Sequence, residues 1–418
     1  MKIVVIGGGA AGFFAALSCK MHHPDYDVCI LEQSDKLLAK VKVSGGGRCN
    51  LTHACFENSQ LAKFYPRGGK QLKKAFSQFN TKDTVQWFES RGVKLKTEED
   101  NRMFPVADNS QTIIDCLMRE ADKLGVVIQK MIAITEIRKI ENDFILLTNG
   151  KAPSTARRVT ADKIIIASGG SPKIEGFNWL KQLGHTIVPP VPSLFTFNMP
   201  NESIKKLMGV VANPVSIKIK GVGTQNSASL RSEGALLITH WGMSGPAVLK
   251  LSSWGARKLN AMNYKFDVLI NWLGDKNEQQ VRDWINAELK NIGKRQVGNK
   301  NPFLLTNRLW LYFLEKNEIN AETTWNHLKK KNLNKLLNTL VNDCYKAEGK
   351  TTFKEEFVTC GGVSLEDVSF ETMESKVCHG IYFAGEVLDI DAVTGGFNFQ
   401  AAWTTGFIAG KLGRSPLK

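Results

Sequence analysis

The hydrophobic pattern at the start of the chain predicts a strand, a turn and a helix. Residues 3–6 are all apolar, as expected of a strand buried in a parallel sheet. Glycines follow them directly, and a helix is predicted from about Ala10. A second buried strand is predicted over residues 28–31 and ends at Glu32. Buried strands that alternate with helices predict an α/β fold.

The pattern changes along the rest of the chain. Residues 70–92 and 110–124 have apolar residues at helical spacing, and the stretch after residue 125 alternates like two or three antiparallel strands. Proline-rich and β-like segments begin at about residue 189, whereas residues 276–348 carry helical patterns with few β-rich runs. Short buried strands then return, and a helix closes the chain. These changes predict more than one domain.

Composition agrees with an ordinary soluble globular protein of two or three domains. The chain has 418 residues, of which 43% are apolar and 23% charged. No stretch is long and apolar enough to span a bilayer, and the early glycine turn distinguishes the apolar start from a signal peptide. The eight cysteines are scattered without a C-x-x-C pair, so neither a metal site nor a disulfide framework is predicted. We expect reduced thiols and a cytoplasmic location.

Positive charge is concentrated in one part of the chain. The formal net charge is +15, and residues 36–96 contain thirteen Lys or Arg against three acidic residues. A solvated basic face and a partner that carries many phosphates both explain such an excess. Ribosomal RNA or another polyanion is therefore one candidate partner, and a small-molecule substrate is the other. No oligomeric state is predicted.

A glycine motif points to a dinucleotide. Gly7, Gly9 and Gly12 form G-x-G-x-x-G between the first strand and the first helix. The first glycine permits a tight turn, the second lets the backbone approach a pyrophosphate, and the third lets helix and strand pack closely. N–H groups at the helix N-terminus then face the phosphates. Glu32, which lies 20 residues after Gly12, is expected to accept hydrogen bonds from the ribose.

A second glycine-rich constellation near the C-terminus favours FAD over NAD. A buried strand leads to Gly385 and Glu386, and Gly395, Gly396 and Asn398 stand at the start of a helix. In flavoproteins with two dinucleotide folds, an acidic residue after a late strand holds the ribityl chain. A helix N-terminus then faces the flavin pyrimidine. An NAD dehydrogenase would keep its cofactor site in one contiguous half.

The segment SGGGRCN, residues 44–50, is expected to pass along the pyrophosphate to the isoalloxazine edge. Its N–H groups can contact the cofactor only where side chains are absent. The predicted FAD contacts are Gly7, Gly9, Ala10, Ala11, Gly12, Glu32, Gln33, Lys40, Ser44, Gly45, Gly46, Gly47, Arg48, Cys49, Asn50, Gly169, Gly385, Glu386, Gly395, Gly396, Phe397 and Asn398.

Four segments carry a resemblance that covers nearly the whole chain. They are SGGGRCNLTH, GALLITHWGMSGPAVLKLS, VTCGGVSLEDVSFETMESK and GEVLDIDAVTGGFNFQAAWTTGFIAG. They resemble the signature blocks of BaiN-like, or aminoacetone oxidase-like, bacterial FAD-dependent oxidoreductases. Two positions depart from that pattern, His53 and Ala392, where asparagine and glycine are usual.

The resemblance implies an α/β, glutathione-reductase-like two-dinucleotide-binding FAD fold with an inserted β-barrel-like domain and a helical domain. The predicted boundaries are 1–188 for the first part of the FAD-binding domain, 189–275 for the inserted β-rich domain, 276–348 for the helical insertion and 349–418 for the return of the FAD-binding domain.

Two side chains are candidates for proton transfer. Cys49 lies beside the expected flavin and is a candidate general acid, while a small thiol that fills space beside the ring is the alternative. His240, in the segment THWGMSGP, is a candidate acid or substrate anchor. A structural histidine is the alternative there.

The predicted reductant is NAD(P)H. Residues 167–176 do not supply a second G-x-G-x-x-G, so the nicotinamide is expected to dock only transiently near the flavin. The resemblance implies reduction of a polarised C=C bond, either of uridine in ribosomal RNA, giving dihydrouridine, or of a steroid enone. The basic segment favours the RNA, whose target base must be flipped or unpaired. An amine oxidase of the aminoacetone type is another small-molecule alternative. A non-catalytic flavoprotein that binds nucleic acid or protein is an alternative of a different class.

Overall fold

A computed structural model of the chain describes residues 1–149, 158–223, 229–352 and 358–413. Its contacts divide into two units. Unit 1 contains Met1–Ser193 and the described residues from 358 to 413, and unit 2 contains Leu194–Thr352. Each unit has a hydrophobic core of its own.

The helices and strands have the following bounds. The strands are β1 (Lys2–Ile6), β2 (Asp27–Leu31), β3 (Thr52–His53), β4 (Leu95–Thr97), β5 (Arg102–Pro105), β6 (Val127–Gln129), β7 (Ile134–Ile140), β8 (Asp143–Thr148), β9 (Arg158–Ala161), β10 (Lys163–Ile166), β11 (Ile187–Ser193), β12 (Thr196–Asn198), β13 (Val211–Gly223), β14 (Ser229–Ile238), β15 (Gly242–Ser244), β16 (Lys265–Asn271), β17 (Asp343–Glu348), β18 (Lys350–Thr351), β19 (Val358–Val363) and β20 (Ile381–Phe383). The helices are α1 (Ala10–His22), α2 (Ala39–Gly47), α3 (Asn58–Leu61), α4 (Gly69–Ala75), α5 (Thr81–Glu89), α6 (Gln111–Lys123), α7 (Asn178–Gln182), α8 (Pro246–Ala261), α9 (Glu278–Ile292), α10 (Asn307–Lys316), α11 (Lys330–Asn342) and α12 (Phe397–Gly410).

A five-stranded parallel sheet forms the centre of unit 1. Its order is β20-β10-β1-β2-β6, and each neighbouring pair is parallel. Ile3, Val4 and Val5 are fully buried, as expected for the middle strand of a sheet covered on both faces. The prediction of an α/β fold is confirmed.

Helices α1 and α12 pack against each other at close range in unit 1. A Cβ atom on Gly406 would lie 2.7 Å from the Ala11 carbonyl oxygen, and one on Gly410 would lie 2.4 Å from that of Ala15. Side chains at these positions would push the helices apart. The two glycines therefore fix the start of α1, which carries the glycine motif, against the C-terminal helix.

Two segments differ from the prediction. The strand Val127–Gln129 pairs in parallel with β2, and only the following strands β7, β8 and β9 form the antiparallel sheet expected after residue 125. Asp343–Glu348, at the end of the predicted helical insertion, is a strand that pairs with β16. Its side chains alternate between buried and exposed, a period of two that is typical of a strand.

Unit 2 contains a seven-stranded sheet whose order is β17-β16-β13-β14-β15-β12-β18. The paired strands run antiparallel. Helix α8 packs on β14, and its buried residues Val248 and Leu251 belong to the core of this unit. Among the residues that the structure describes, no helix has both the length and the apolarity needed to cross a membrane.

Candidate functional site

The carboxyl ends of four parallel strands meet at one edge of the sheet of unit 1. Gly7 follows β1, Glu32 follows β2, Gly169 follows β10 and Gly385 follows β20. Ligands of open α/β sheets bind in the crevice at this edge, next to the helix that follows the first strand. The fold therefore brings the two predicted glycine constellations to the same edge.

The glycines of the first loop have different neighbours. Gly7 has a left-handed φ of +111°, and a Cβ atom there would lie 2.3 Å from the Ala167 carbonyl oxygen. A Cβ atom on Gly12 would lie 1.9 Å from the Gly7 carbonyl oxygen. Gly9, in contrast, has no described atom within 4 Å of such a Cβ position. Packing therefore requires glycine at positions 7 and 12, while Gly9 faces open space.

Gly9 is also the residue that precedes α1, and no acidic side chain lies in the first turn of that helix. The N–H groups of a first helical turn lack carbonyl partners within the helix and carry partial positive charge. Ala10 and Ala11, both predicted contacts, belong to this turn. The turn has the chemistry of a phosphate site.

Glu32 already accepts hydrogen bonds from the protein. Its Oε2 accepts from the Gly8 N–H at 2.7 Å, and its Oε1 accepts from the backbone N–H and the hydroxyl of Ser34, each at 2.8 Å. A carboxylate has about four lone-pair sites, so it can accept further bonds from ribose hydroxyls. Glu32 thus fixes the shape of the glycine loop, and the neighbouring Gln33 is exposed.

Glu386 lies beside residues from three distant segments. Its Oε2 accepts from Lys40 Nζ at 2.6 Å, and its Oε1 accepts from the Thr359 N–H at 3.0 Å. A Cβ atom on Gly385 would lie 2.7 Å from the Cβ of Ala11 in the first turn of α1. Four predicted cofactor residues, two from each end of the chain, are therefore brought together here.

The loop before α12 is held by two asparagine side chains. With its amide oriented to satisfy both groups, Asn50 accepts from the Gly396 N–H at 3.0 Å. Asn398 accepts from the Ala392 N–H at 3.0 Å and donates to its carbonyl oxygen at 3.2 Å. Gly395 and Gly396 have φ values of +133° and +91°, which favour glycine. Both asparagines therefore stabilise this loop through protein contacts.

Phe397 directs its side chain into an aromatic cluster. Its ring stacks on Phe64 with a centroid distance of 4.2 Å and lies 4.4 Å from the His53 ring. His53 Nδ1 lies 3.1 Å from the Gly395 carbonyl oxygen, and the Tyr65 hydroxyl donates to the Phe397 carbonyl at 2.7 Å. Because the Phe397 ring is buried, only its backbone at the helix start is placed for a cofactor contact.

The backbone conformation of the SGGGRCN segment explains its glycines. Gly45, Gly46, Gly47 and Cys49 have φ values of +59°, +69°, +84° and +63°. Most residues with a side chain are strained in this left-handed region. No described atom lies within 4 Å of a Cβ position on Gly46 or Gly47. The turn requires glycine for its own shape, and its approach to a cofactor stays a prediction.

Three polar groups of this segment already contact the protein. The Ser44 hydroxyl donates to the Val41 carbonyl oxygen at 3.0 Å. Arg48 pairs with Glu98 at 2.5 Å and lies 3.5 Å from Asp108, so its charge is balanced by carboxylates. Cys49 has no exposed surface, and burial raises the pKa of its thiol to about 12. This thiol is therefore protonated at neutral pH.

His240 is the predicted residue that belongs to unit 2. It is exposed, follows the end of β14, and its ring meets that of Trp241 edge-on at 4.4 Å. The other predicted site residues belong to unit 1. The role of His240 as an acid or substrate anchor stays a prediction.

The structure contains an ion pair at the loop before α12 that the sequence did not predict. Arg67 contacts the fully buried carboxylate of Asp391, which also accepts from the Ser193 hydroxyl at 2.6 Å. Burial raises the pKa of Asp391, while Arg67 and Ser193 oppose that shift. These residues come from three separate segments, so no local pattern could pair them. The only local indication was that Asp391 lies three residues before the TGG sequence at 394–396.

Comparison with known proteins identifies the family. The family model described as HI0933-like protein Rossmann domain matches residues 1–412. The chain belongs to this family. This HI0933-like protein is an FAD-dependent oxidoreductase, and its predicted resemblance to BaiN-like flavoproteins is confirmed.

Three curated relatives of this HI0933-like protein align over almost their whole length. A 3-dehydro-bile acid delta(4,6)-reductase of Clostridium scindens is 26% identical over 98% of both chains. A ribosomal RNA dihydrouridine synthase of Haemophilus influenzae is 27% identical over 97% of this chain and 96% of the relative. The protein of that name from Escherichia coli is 28% identical over 96% and 95%.

A solved structure supports the fold of this HI0933-like protein. An E. coli quinol fumarate reductase FrdA chain aligns with a TM-score of 0.50 and 11% identity, covering 98% of this chain and 69% of that one. Such a likeness concerns the fold alone. The mixed α/β, Rossmann-type fold is thus confirmed, whereas the inserted β-barrel-like and helical domains stay predictions.

The residues at the sheet edge fit FAD. Gly9, Gly46, Gly47 and Gly169 face space that no described atom fills within 4 Å of a Cβ position. The first turns of α1 and α12 contain no acidic side chain that would repel phosphates or a negatively charged ring. The contacts of Glu32 with the ribose, of Glu386 with the ribityl chain and of Lys40 with the cofactor stay predictions.

Proposed function

We propose that this protein uses FAD and NAD(P)H to reduce a polarised C=C bond, and that its substrate is a uridine in ribosomal RNA. The observation that supports this reaction type is that the names of its relatives describe the same kind of reaction. The name dihydrouridine synthase describes saturation of the uracil C5–C6 bond, and the name delta(4,6)-reductase describes reduction of steroid double bonds. The full-length similarity of this chain to relatives that act on both substrate classes supports reduction of a C=C bond as the common reaction.

When bound, FAD supplies the two-electron chemistry that links NAD(P)H oxidation to alkene reduction. The chain's own residues bind and orient the partners. N–H groups in the first turn of α1 bind phosphate, Glu32 accepts from the ribose, and Glu386 with Lys40 contacts the ribityl chain. The N-terminus of α12 favours negative charge beside it because its N–H dipoles point outward.

Saturation of a C=C bond requires one hydride and one proton. Cys49 of unit 1, whose thiol is protonated, is one candidate source of that proton, but its lack of exposed surface favours the packing role. His240 is the candidate from unit 2. Both assignments belong to the proposal.

Two observations favour RNA over a small molecule. Two relatives, from different bacteria, are named for ribosomal RNA. The second observation is the excess of Lys and Arg within residues 36–96. Such side chains bind phosphate backbones regardless of the nucleotide sequence. The uracil must be flipped out or unpaired to reach a flavin.

The test maps dihydrouridine in ribosomal RNA from strains with and without the gene. We expect one site to lose its dihydrouridine in the deletion strain and to regain it with the wild-type gene. The gene with Gly9→Ala, a change at the predicted phosphate turn, is the matched control and is expected not to restore it. An unchanged dihydrouridine content in the deletion strain would refute the RNA assignment.

A steroid enone is the second candidate, favoured by the relative that is 26% identical along the whole chain. Purified holoenzyme with NADH or NADPH and a 3-oxo-Δ4,6 steroid would then show enone loss matched to nicotinamide oxidation. An amine oxidase would instead reduce its flavin with an amine in the absence of oxygen. Failure of every nicotinamide and amine to reduce the flavin would favour a non-catalytic flavoprotein.

A further inference from the structure

The basic segment 36–96 is less uniformly charged in three dimensions than along the sequence. Five of its thirteen cations pair with carboxylates from beyond residue 96. These pairs are Lys40–Glu386, Arg48–Glu98, Arg67–Asp391, Arg91–Glu120 and Lys96–Asp108. The charge available to a partner must therefore come from the other cations of the segment.

Three of those other cations share one face of α4. Lys70, Lys73 and Lys74 have the spacing i, i+3, i+4, which places side chains next to one another on a helix. All three are exposed, and no carboxylate of the described residues lies within 4 Å of their ammonium groups. Like charges at this spacing destabilise a helix. Lys73 and Lys74 lie in the last turn of α4, where the helix dipole favours cations, but no carboxylate among the described residues neutralises the cluster.

The chain just before α4 is bound to the loop that precedes α12. The Val393 N–H donates to the Phe64 carbonyl oxygen at 3.0 Å, and Arg67 pairs with Asp391. A Cβ atom on Gly68 would lie 2.6 Å from Ile390 Cγ1. These contacts hold the lysine cluster at a fixed position relative to the loop that is predicted to face the flavin pyrimidine.

We propose that Lys70, Lys73 and Lys74 form the docking surface for the phosphate backbone of the substrate RNA. This proposal rests on the proposed function. Ammonium groups without carboxylate partners bind phosphates regardless of sequence and release counterions when they do so. Contacts of this kind set the register of the nucleic acid, while the choice of base is left to the flavin site. The contacts between the chain before α4 and the 390–396 loop hold the docking surface at a fixed position relative to the flavin site.

The test compares two triple variants that change charge equally. Lys70→Gln/Lys73→Gln/Lys74→Gln removes the proposed surface, and Lys329→Gln/Lys330→Gln/Lys331→Gln removes three exposed charges at the start of α11 in unit 2. Thermal unfolding and FAD content check that both variants fold. Fluorescence anisotropy measures the Kd for a ribosomal RNA fragment that contains the target uridine, over a range of salt concentrations.

We expect the α4 variant to raise Kd by about tenfold or more. We also expect the negative slope of log K against log salt to become shallower by about 2, as the loss of three phosphate contacts predicts. The α11 variant is expected to change Kd by less than about threefold. Equal effects of the two variants, or no effect of the α4 variant, would overturn the docking surface. The docking surface would also be overturned if the α4 variant kept its RNA affinity but lost binding to vesicles of anionic lipid.

The two proposals fail in different ways. Unchanged dihydrouridine in the deletion strain refutes the RNA substrate itself. Loss of dihydrouridine in that strain, with full RNA affinity in the α4 variant, refutes only the docking surface.

Discussion

Gly9 and Gly12 stand three residues apart in the same loop but have different physical roles. Gly12 is needed because the strand and the helix leave no room for a Cβ atom. Gly9 has an ordinary φ of −90° and open space where a side chain would begin, so the fold itself tolerates alanine there. Open space next to a helix N-terminus is what a bound pyrophosphate would occupy.

Gly9→Ala is therefore expected to fold but to lose FAD. Its apo-protein stability should stay within about 1 kcal/mol of wild type, the usual scale for a change of residue before a helix. Gly12→Ala should lower stability by about 1–3 kcal/mol or more, because it forces helix and strand apart. Thermal unfolding of the apo proteins and the flavin absorbance of the purified proteins measure both effects. Full FAD content in Gly9→Ala would contradict the assigned pyrophosphate position.

Cys49 offers a test of the two roles predicted for it. We expect Cys49→Ala to slow reoxidation of the reduced flavin by substrate less than about tenfold, because a thiol without exposed surface does not touch a bound substrate. A general acid would be worth about 10²–10⁴ in rate. The pKa of about 12 also predicts no thiol ionisation in a rate profile between pH 6 and 9. Single-turnover kinetics with pre-reduced enzyme measure the rate, and a loss beyond 10² would establish Cys49 as the acid.

At the scale of elements, one ion pair joins three segments of unit 1. Arg67 precedes α4, Asp391 lies in the loop before α12, and Ser193 ends β11. The carboxylate is fully buried, so its charge depends on the guanidinium and the hydroxyl that contact it. Removal of one partner leaves an uncompensated buried charge.

Arg67→Met is expected to lower the free energy of unfolding by about 3–5 kcal/mol at neutral pH. Burial already raises the pKa of Asp391, and loss of the cation raises it further. The folded state then binds more protons than the unfolded state, so stability falls as pH rises above the ordinary aspartate pKa of about 3.9. Denaturant unfolding should show a larger loss at pH 8 than at pH 5.

The matched control for this ion pair is Arg67→Met/Asp391→Asn. With no ionisable group left at the site, its stability relative to wild type should depend much less on pH. An equal loss at both pH values in the Arg67→Met single variant would show that packing, rather than charge, causes the destabilisation.

Element types were predictable where one local pattern dominates. The buried strand β1, the helix α1 and the amphipathic helix α6 agree with the apolar spacing of their sequences. The segment 39–50 was not predictable in detail, because its left-handed residues do not follow from periodicity and only Gly45 among its glycines packs against described neighbours, Phe104 and Asn50. The strand β17 was missed although its residues alternate with period two, since the helices before it suggested a helical context.

At the scale of the whole molecule, the predicted FAD contacts belong to unit 1, and each unit has a separate core. A ligand that binds only folded unit 1 stabilises the structure it contacts by mass action. Addition of FAD to apo protein should therefore slow amide exchange most in residues 7–12, 45–50 and 385–398. Hydrogen exchange with mass spectrometry measures this, and β13 and β16 of unit 2 serve as internal controls. Equal slowing in those strands would contradict a site confined to unit 1.

The sequence alone determined the buried strands, the glycine motif, the acidic residue that follows it and the second glycine constellation, since each depends on residues within one short segment. Only the tertiary structure decided which glycines are required by packing and which face open space. It also decided which of the described basic residues pair with carboxylates and which have no carboxylate partner. Both depend on groups far apart in sequence: Gly7 meets Ala167, Arg67 meets Asp391, and Lys40 meets Glu386. Local patterns record propensity and periodicity, whereas such contacts exist only after the chain has folded.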